Sequence, residues 1–482
     1  MNGKDIFDGV TDIRDDLIDG AKAAPKKRKR QMQNRWMGAV AAALVLAILG
    51  GILLRPGGGL SAYAIVQAEY PKMDPYPSGM AQLIEPIYDT LHDRWWEDVR
   101  AQRRDLGDIS DLQSFFAQST QTFLTQTTGE NRVYSPLNVY MALAMLAQLT
   151  GGESREQILT LLGSGSMDEL RQRASDLWNC NYRDDGAVTS ILANSLWLNE
   201  DVKFDRDTMD ILARGFHTSS YRGEMGSEQF NRALQDWLNA QTGGLLDKQV
   251  GNIQLDAQTF LALASTVYFK AKWSDEFSKG KTAPQTFHAP DGDIQIDFMN
   301  QRDDGNYYWG DKFAAVCQYF RMGGAMWFIL PDEGVTPEEL LSDAEALDFL
   351  FTADQSEWEN QKYLYVNKSI PKFDVSSQFD LGDGLKALGI TNVYDPTVSD
   401  FTPMTTDAGA PIVLSEADHA ARVVIDEEGC TATAFTVLAG NGAAAPPDGE
   451  VDFVLDRPFL FCVTGDSGLP LFVGVVNYPG GN

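Results

Sequence analysis

Hydrophobic residues change their spacing along this chain, from a helical period in the first part to short continuous runs later on. Residues 112–123 place apolar side chains at helical spacing, and residues 137–149 are apolar almost all round, which predicts a buried helix. The later apolar runs have the length of buried strands, and they cover residues 259–269, 326–330, 422–425, 459–463 and 471–476. Helices gathered early and strands gathered late predict an α+β domain with mostly antiparallel sheets.

The stretch from residue 109 to the end contains no long linker, low-complexity tract or internal repeat. Its hydrophobic content, 44% over the whole chain, is ordinary for a globular protein. We therefore expect residues 109–482 to form one large domain.

A basic run at residues 26–30 is followed almost at once by the apolar segment 36–54. A helix of that length rises about 28 Å, close to the roughly 30 Å hydrocarbon core of a bilayer. Under the positive-inside rule, residues 1–35 would be cytoplasmic and residues 55–108 would be an extracellular tether and lead-in to the domain. These features predict a single-pass protein of the cell membrane with its domain outside the cell.

Two alternatives to this anchor follow from the same segment. A long signal peptide is one, because Ser61-Ala62-Tyr63-Ala64 offers the small-x-small pattern of signal peptidase, and cleavage after Ala64 would release a secreted protein. A buried core helix is the other, and it is disfavoured because the segment has no polar face.

The formal net charge is −29 at neutral pH, which disfavours nucleic acid as a partner and favours solubility outside a cell. The four cysteines are scattered with no close pair, so they indicate neither a disulfide framework nor a zinc site. We interpret them as small buried apolar residues. No metal-binding motif with paired His or Cys occurs, and we expect no metal, no other cofactor and a monomer.

Several short segments follow one another in the order of a known family. They are Asn-Arg-Val-Tyr-Ser-Pro-Leu-Asn at 131–138, Gly-Gly-Glu-Ser-Arg-Glu-Gln-Ile-Leu at 151–159, Tyr-Phe-Lys-Ala-Lys-Trp at 268–273, Pro-Lys-Phe at 371–373, Leu-Gly-Ile at 388–390, Asp-Phe at 400–401, Asp-Arg-Pro-Phe-Leu-Phe at 456–461 and Phe-Val-Gly-Val-Val-Asn at 472–477. Together they resemble the serpins, a family of serine protease inhibitors, here of bacterial type with an N-terminal membrane anchor. The resemblance implies helices packed on a large central sheet, smaller sheets and an exposed reactive loop. It implies an inhibitor and not an enzyme.

The segment Ile-Asp-Glu-Glu-Gly at 425–429 resembles the hinge at which the reactive loop of a serpin leaves the sheet. The resemblance assigns the loop hinge to Glu427, Glu428, Gly429, Cys430, Thr431, Ala432, Thr433 and Ala434. It places the shutter and breach, where the sheet opens, at Ser135, Asn138, Ser265, Trp273 and His419. Asn138 and Ser265 exchange the residue types that the family usually has there. Because a hydroxyl and an amide both donate and accept hydrogen bonds, the exchange can preserve a buried network with the histidine.

The segment from Cys430 to residue 445 carries no charge and few large side chains, which is unusual for an exposed loop. Strand periodicity explains this composition, because one face would carry Cys430, Ala432, Ala434, Thr436 and Leu438 and the other Thr431, Thr433, Phe435 and Val437. The segment therefore suits both an exposed bait and an inserted strand. Serpin loop insertion is itself the standard illustration of such a switch, so we take the idea from the resemblance.

By the same resemblance, the reactive bond joins Ala443 and Ala444, and a proline pair follows at 446–447. A serine protease would attack this bond, form its acyl-enzyme, and be trapped as the loop inserts and deforms the oxyanion hole. An alanine bait fits the small specificity pocket of an elastase-like or subtilisin-like enzyme and disfavours trypsin-like enzymes. Phe435 replaces a commonly small residue, from which we expect slower insertion at most.

Three competing interpretations arise, and the first of them is disfavoured. Gly-Asp-Ser-Gly-Leu-Pro at 465–470 resembles the nucleophile segment of trypsin-like proteases, but no protease-like histidine motif lies upstream, and its place between apolar runs predicts a hairpin turn. A second interpretation keeps the fold and drops inhibition, giving a surface binding or carrier protein whose loop is only a protease substrate. The third gives residues 1–35 a signalling role of their own.

Overall fold

The computed structural model describes residues 59–77, 85–125, 129–246, 250–251, 253–352, 354–405, 412–415, 417–430 and 447–480. The chain divides into two compact units, Met1–Ala62 and Tyr63–Asn482. In the first unit, the described residues contain the short 3₁₀ turn Leu60–Ala62. The second unit contains the sheets and helices given below.

The predicted cytoplasmic segment 1–35 and the predicted membrane helix 36–54 lie outside the described residues. None of the helices in the described ranges combines the length and the hydrophobicity that a membrane span requires.

The longer helices of the described chain all lie before residue 242, as the early helical periodicity predicts. In chain order the helices are α1 (Glu85–Gln102), α2 (Ser110–Leu124), α3 (Pro136–Leu149), α4 (Gly152–Leu161), α5 (Met167–Asn181), α6 (Arg206–Gly215), α7 (Glu228–Gln241), α8 (Pro337–Leu340), α9 (Ala344–Phe351) and α10 (Gly382–Ala387). The two helices predicted at 112–123 and 137–149 are confirmed as α2 and α3.

The strands are β1 (Ala64–Val66), β2 (Arg132–Tyr134), β3 (Arg183–Asp184), β4 (Val188–Asn199), β5 (Thr218–Gly223), β6 (Leu261–Lys272), β7 (Ala283–Ala289), β8 (Gly292–Trp309), β9 (Phe313–Tyr319), β10 (Ala325–Pro331), β11 (Gln361–Pro371), β12 (Phe373–Asp380), β13 (Asp418–Ile425), β14 (Gly429–Cys430), β15 (Glu450–Val454), β16 (Phe459–Thr464) and β17 (Pro470–Val476). The five strands predicted from apolar runs are confirmed as β6, β10, β13, β16 and β17. Their bounds differ from the predicted ones by one to four residues: β6 begins two residues later and ends three residues later than its apolar run, and β13 begins four residues earlier.

The central sheet runs in the order β1-β5-β4-β6-β14-β13-β12, with β3 paired to β4. Its pairs are antiparallel except for β4 and β5, which are parallel. Odd-numbered residues of β6 and β13 face α3, since the side chain of Ser265 contacts that of Asn138 in this helix and the His419 ring accepts from the Ser135 N–H at its start. Even-numbered residues face α7, since Arg422 donates to Leu245 O just beyond it. The two faces of the sheet thus meet different helices.

A second sheet runs in the order β15-β11-β8-β9-β10-β16-β17-β2, with β7 paired to β8. Every residue of β10, β16 and β17 is buried, which explains why these strands are continuous apolar runs in the sequence. The described chain is therefore an α+β fold, as expected, but its second sheet has nine strands and is not smaller than the eight-stranded central sheet.

Helix α3 packs against β6 of the central sheet and β17 of the second sheet. Its sequence is apolar on all sides because both neighbours are apolar. The hydroxyl of Ser135 caps its first turn by accepting from the Asn138 N–H at 3.3 Å, and Pro136 occupies the first helical position. The start of α3 is thereby held at the sheet, beside the predicted shutter residues.

Much of the predicted tether, residues 55–108, is folded against the domain. Strand β1 pairs antiparallel with β5 at the edge of the central sheet. Tyr70 then packs on Trp178 and Tyr182, with ring centroids 5.5 and 5.8 Å apart, and the Tyr182 hydroxyl donates to Pro71 O at 2.9 Å. The prediction of a free tether is therefore wrong for this segment. Its contacts come from isolated aromatic residues, which leave no periodic pattern in the sequence.

Helix α1 is anchored by a buried ionic cluster that joins the two sheets. Trp95 is 2% exposed, and its indole N–H donates to Asp185 Oδ2 at 2.7 Å. Arg183 donates to the same carboxylate at 2.7 Å, contacts the Trp95 ring at 5.3 Å and pairs with Asp466 in the turn after β16. Buried charges of this kind are stable only while each keeps its partners.

Trp95→Phe is expected to lower the free energy of unfolding by about 2 kcal/mol, because it removes a hydrogen bond to a buried carboxylate. Urea unfolding of the full chain measures the change. Trp309→Phe is the matched control, since Trp309 is 38% exposed and should lose much less. Equal losses in the two variants would contradict an anchoring role for Trp95.

Candidate functional site

The chain leaves the central sheet through a tight turn between β13 and β14. Asp426 organises this turn, because its N–H donates to Gly429 O at 3.0 Å and its Oδ1 accepts from the N–H groups of Glu428 at 2.8 Å and Gly429 at 3.2 Å. The segment 425–429, identified above as the hinge, is therefore a structured reversal of the chain.

Strand β14 lies between β6 and β13. Cys430 is paired with Ala271 on one side and Ile425 on the other, and Gly429 is paired with Lys272. A Cβ at Gly429 would lie 2.3 Å from Ala271 O and 2.8 Å from Lys272 Cα, so this approach requires glycine. Cys430 is 3% exposed and belongs to the main hydrophobic core. The first residue of the predicted inserting segment thus already lies in the sheet.

The two hinge glutamates are tied to lysines of neighbouring segments. Glu427 is buried, pairs with Lys372 at 3.0 Å and accepts from Thr282 Oγ1 at 2.9 Å, while Glu428 pairs with Lys279 at 2.5 Å. Burial by itself would raise the pKa of Glu427, but hydrogen bonds from its own backbone, Lys372 and Thr282 outweigh burial and hold the pKa below its ordinary value. These contacts fix the turn at the end of the sheet.

Trp273, the predicted breach residue, directly contacts the hinge. Its indole N–H donates to Asp426 O at 2.8 Å, and its backbone N–H donates to Glu428 O at 3.1 Å. The fully buried ring stacks on Phe320 with centroids 4.8 Å apart and an interplanar angle of 8°. The structure therefore brings this tryptophan and the hinge together in one site.

His419 is buried where β13 passes the start of α3. Its Nε2 accepts from the Ser135 N–H at 3.2 Å, and its ring lies 5.4 Å from the rings of Tyr134 and Phe379. Burial lowers the pKa of His419 to about 4, so the ring is neutral at neutral pH. Because Nε2 is the acceptor, the single proton of the neutral ring is on Nδ1.

Asn138 and Ser265 bond to each other across the face of the central sheet. Asn138 Nδ2 donates to Ser265 O at 3.0 Å, and the Ser265 hydroxyl lies within hydrogen-bond distance of the amide oxygens of Asn138 and Asn194, at 2.6 Å for Asn194. A hydroxyl carries one hydrogen, so it donates to one of these oxygens at a time. Asn194 in turn donates to Phe216 O at 3.1 Å.

The network expected from the sequence is therefore arranged differently. His419 bonds to the backbone of Ser135 and not to the side chains of Asn138 or Ser265 in the described structure. Ser135 joins the two parts, because its hydroxyl accepts from the Asn138 N–H. Sequence reasoning missed Asn194, which with Ser195 forms a polar pair inside the apolar part of a strand.

Two clefts lie on opposite faces of the central sheet beside β6 and β13. The α7 cleft is lined from the helix side by Leu234, Leu238, Leu246 and Leu255, and from the sheet side by Ala264, Thr266 and Ala420. The α3 cleft is lined by Asn138, Leu143, Leu263, Ser265, Ala417 and His419. Within the described residues, β6 and β13 share no ladder with each other, and Cys430 pairs with both.

The remaining predicted hinge residues, Thr431, Ala432, Thr433 and Ala434, lie outside the described residues, as does the predicted reactive bond Ala443–Ala444. The chain is described again from residue 447, where β15 adds parallel to β11. The two flanks of this segment therefore belong to different sheets.

The protease-like segment forms a turn between β16 and β17, as predicted. Gly468 N–H donates to Gly465 O at 3.1 Å, and the Ser467 hydroxyl donates to Asn181 Oδ1 at 2.8 Å. A catalytic serine needs a histidine base at this place, and the contact found is an amide. In the described ranges no group of His, Cys, Asp and Glu side chains has the arrangement of a metal site.

A family profile described as Serpin (serine protease inhibitor) matches residues 111–479. The chain belongs to the serpin family. The match begins in α2, includes the hinge and both shutter and breach regions, and ends just beyond β17. The family predicted from the ordered short segments is thereby confirmed.

Similar proteins support the same assignment. Serpin-Z1C of Triticum aestivum is 27% identical over 378 residues, covering 75% of this chain and 93% of that protein. The thermophilic serpin tengpin in its native state matches with a TM-score of 0.69 and 22% identity over 78% of this chain and 96% of that chain. A thyroxine-binding globulin complex with thyroxine matches with a TM-score of 0.64 and 23% identity over 77% and 99%.

The solved structures named above are less than 25% identical to this chain in sequence. Their similarity therefore shows the serpin fold and does not show an activity. Thyroxine-binding globulin has this fold and its structure is a complex with thyroxine. The fold by itself therefore does not distinguish an inhibitor from a carrier protein. Serpin-Z1C is a plant protein, so the prediction that this chain is a serpin of bacterial type stays a prediction.

The stability of the serpin domain is expected to fall as the pH is lowered from about 6.5 to about 4, because unfolded His419 takes up a proton at its ordinary pKa of 6.5 and the buried ring does so at about 4. The loss should reach about 3 kcal/mol. His419→Gln keeps an acceptor for the Ser135 N–H and does not titrate.

Urea unfolding of the full chain and of His419→Gln is measured across this pH range. The comparison separates the contribution of His419 to the pH dependence of stability from that of carboxylates such as Glu427. The two proteins should converge in stability as the pH falls. A constant difference between pH 7 and pH 4 would contradict a buried neutral histidine.

Proposed function

We propose that this serpin is a suicide-substrate inhibitor of serine proteases with elastase-like or subtilisin-like specificity. The observation that carries the proposal is the position of Cys430, which pairs with both β6 and β13. Because those strands share no ladder with each other in the described part of the chain, the residues after Cys430 have a path between them. Cleavage of the loop would free them to follow it.

The pairing of Cys430 sets a register for the segment that follows. Continued antiparallel pairing places Ala432, Ala434 and Thr436 on the same face of the sheet as Cys430, toward α3. Their partners in β6 and β13 would be, in the same order, Phe269 and Val423, Val267 and Ala421, and Ser265 and His419.

The side chains of the loop match the surfaces that this register gives them. Ala432 and Ala434 are small and apolar and would meet the apolar core. Thr436 would arrive at the polar cluster around Ser265 and His419, where its hydroxyl can form a hydrogen bond. Leu438 would enter the α3 cleft. Composition and register therefore support the same inserted state.

Insertion would add a strand with a hydrogen-bonded ladder on each side. Each backbone hydrogen bond contributes about 1 kcal/mol net, so a ladder of several residues on both sides makes insertion effectively irreversible. This gain is the driving force that an inhibitor of this kind requires.

Trapping would use the protease's own reaction. The serine oxygen of the protease would attack the carbonyl carbon of Ala443, and the nitrogen of Ala444 would leave with a proton, which yields an acyl-enzyme ester. Insertion would carry the ester-linked protease away from the hinge and deform its oxyanion hole. Hydrolysis of the ester would then lose its main electrostatic stabilisation.

A non-inhibitory binding or carrier protein is the second candidate function. The structural likeness to thyroxine-binding globulin favours it, as does Phe435 in a loop of otherwise modest side chains. In this case the loop would be cleaved as a simple substrate, without a covalent complex.

We further propose that residues 36–54 anchor the protein in the cell membrane, with residues 1–35 in the cytoplasm and a monomeric serpin domain outside. The basic run before an apolar segment of spanning length supports this topology. Cleavage after Ala64 is the alternative, and it would remove the first residue of β1.

Incubation of the full chain with an elastase-like or a subtilisin-like protease is expected to give a band near the summed mass on a denaturing gel. The band forms because the acyl ester is covalent and deacylation stalls. A trypsin-like protease is the control and should give little complex. A clipped serpin without any complex would favour the carrier function.

Ala434→Arg is expected to abolish the covalent band and leave cleavage intact, because it forces a charge against Val267 and Ala421 in the core. Thr433→Glu is the control, since Thr433 would face away from the core, opposite Arg422, and tolerate a charged side chain. Undiminished trapping by Ala434→Arg would overturn the insertion model.

A further inference from the structure

Phe435 is the one aromatic residue between Cys430 and residue 446, and it lies on the outward face of the predicted inserted strand. If the register set by Cys430 continued, it would bring Phe435 opposite Thr266 of β6 and Ala420 of β13. Both of those residues line the α7 cleft. The side chain that looked like an obstacle in the sequence would thus be directed at a cleft.

The α7 cleft is apolar where an aromatic ring would enter. Leu234 and Leu238 stand one turn apart on α7, 1% and 6% exposed, and Leu246 and Leu255 close the far side. Ala264 and Ala420 on the sheet side are too small to fill the space. The cleft opens to solvent, and none of its lining residues is charged.

Hydrogen bonds hold the walls of the cleft together. Gln235 Nε2 donates to Ile253 O at 2.9 Å, and Asn231 Oδ1 accepts from the Leu255 N–H at 2.8 Å. Arg422 of β13 donates to Leu245 O at 2.8 Å, which ties the receiving strand to the chain after α7. The cleft is therefore formed before any loop enters the sheet.

We infer that the α7 cleft is the docking site for Phe435 of the inserted loop. The inference rests on the proposed insertion. It adds that Phe435 would hold the inserted strand in place beneath α7. The occupant follows from the register, because Cys430 pairs with Ala271 and Ile425, and continued pairing would bring the fifth residue after it, Phe435, opposite the cleft. Both the phenylalanine ring and the lining of the cleft are uncharged, although the protein as a whole has a net charge of −29. Burial of the ring adds a hydrophobic gain to the backbone ladders.

The test compares two identical substitutions on the same strand face. Phe435→Glu places a carboxylate in the cleft, where burial of an unpaired charge is unfavourable. Thr433→Glu places it two residues nearer the hinge, opposite Tyr268 and Arg422, where the guanidinium, 28% exposed and paired with Asp374, keeps the new carboxylate beside a cation and near water. Phe435→Leu keeps an apolar side chain and serves as the conservative variant.

Each full-length protein is cut in the loop by subtilisin, the cut is located by mass spectrometry, and the guanidinium midpoint is measured before and after cleavage. The wild-type chain, Thr433→Glu and Phe435→Leu should all show a marked rise in midpoint on cleavage. Phe435→Glu should lose most of that rise while its uncut form unfolds like the wild type. Hydrogen exchange should slow at α7 on cleavage in the first three proteins and not in Phe435→Glu.

The outcomes separate this inference from the proposed function. A full rise in Phe435→Glu, with unchanged protection of α7, would overturn docking and leave insertion standing. An equal loss in both glutamate variants would also overturn docking, because the outward face would then reject charge everywhere. No rise in the wild-type chain would overturn insertion and docking together.

Discussion

The close passage of the hinge backbone alongside β6 is the constraint on which the functional part of this serpin depends. Gly429 can approach Ala271 O only because it has no side chain, and this approach places Cys430 between β6 and β13. The turn behind it is held by Asp426, by Trp273 and by lysine partners of the two glutamates. The entrance to the sheet is thus rigid, and the direction of any further strand is set before the loop is cut.

The two faces of the central sheet offer different chemistry to a strand that enters it. The face toward α3 carries a polar cluster at Ser265 and His419 within an apolar core, and the face toward α7 carries an uncharged cleft. Alternating small, hydroxyl and apolar residues of the loop suit these surfaces in turn. Under the proposed insertion, this match would account for a long uncharged segment in an acidic protein.

The N-terminal segment before the family match is a structural part of the described domain. Strand β1 extends the central sheet, and α1 is joined through Asp185 and Arg183 to a turn of the second sheet. An ionic cluster of this kind is sensitive to the loss of any partner, because each charge is removed from water. The segment therefore bears on the stability of both sheets, although it contributes no residue to the hinge.

The sequence by itself determined the features that depend on local spacing. Apolar runs located β6, β10, β13, β16 and β17, helical spacing located α2 and α3, and strand alternation assigned Cys430 to an inward face. Only the tertiary structure decided which distant groups meet, such as Asn194 with Ser265, His419 with the Ser135 backbone, and Tyr70 with Trp178. These contacts join residues far apart in the chain, and a hydrogen bond or ring contact across that separation leaves no periodic trace in the sequence. The registers of β14 with β6 and with β13 belong to the same class, because they arise from packing and not from composition.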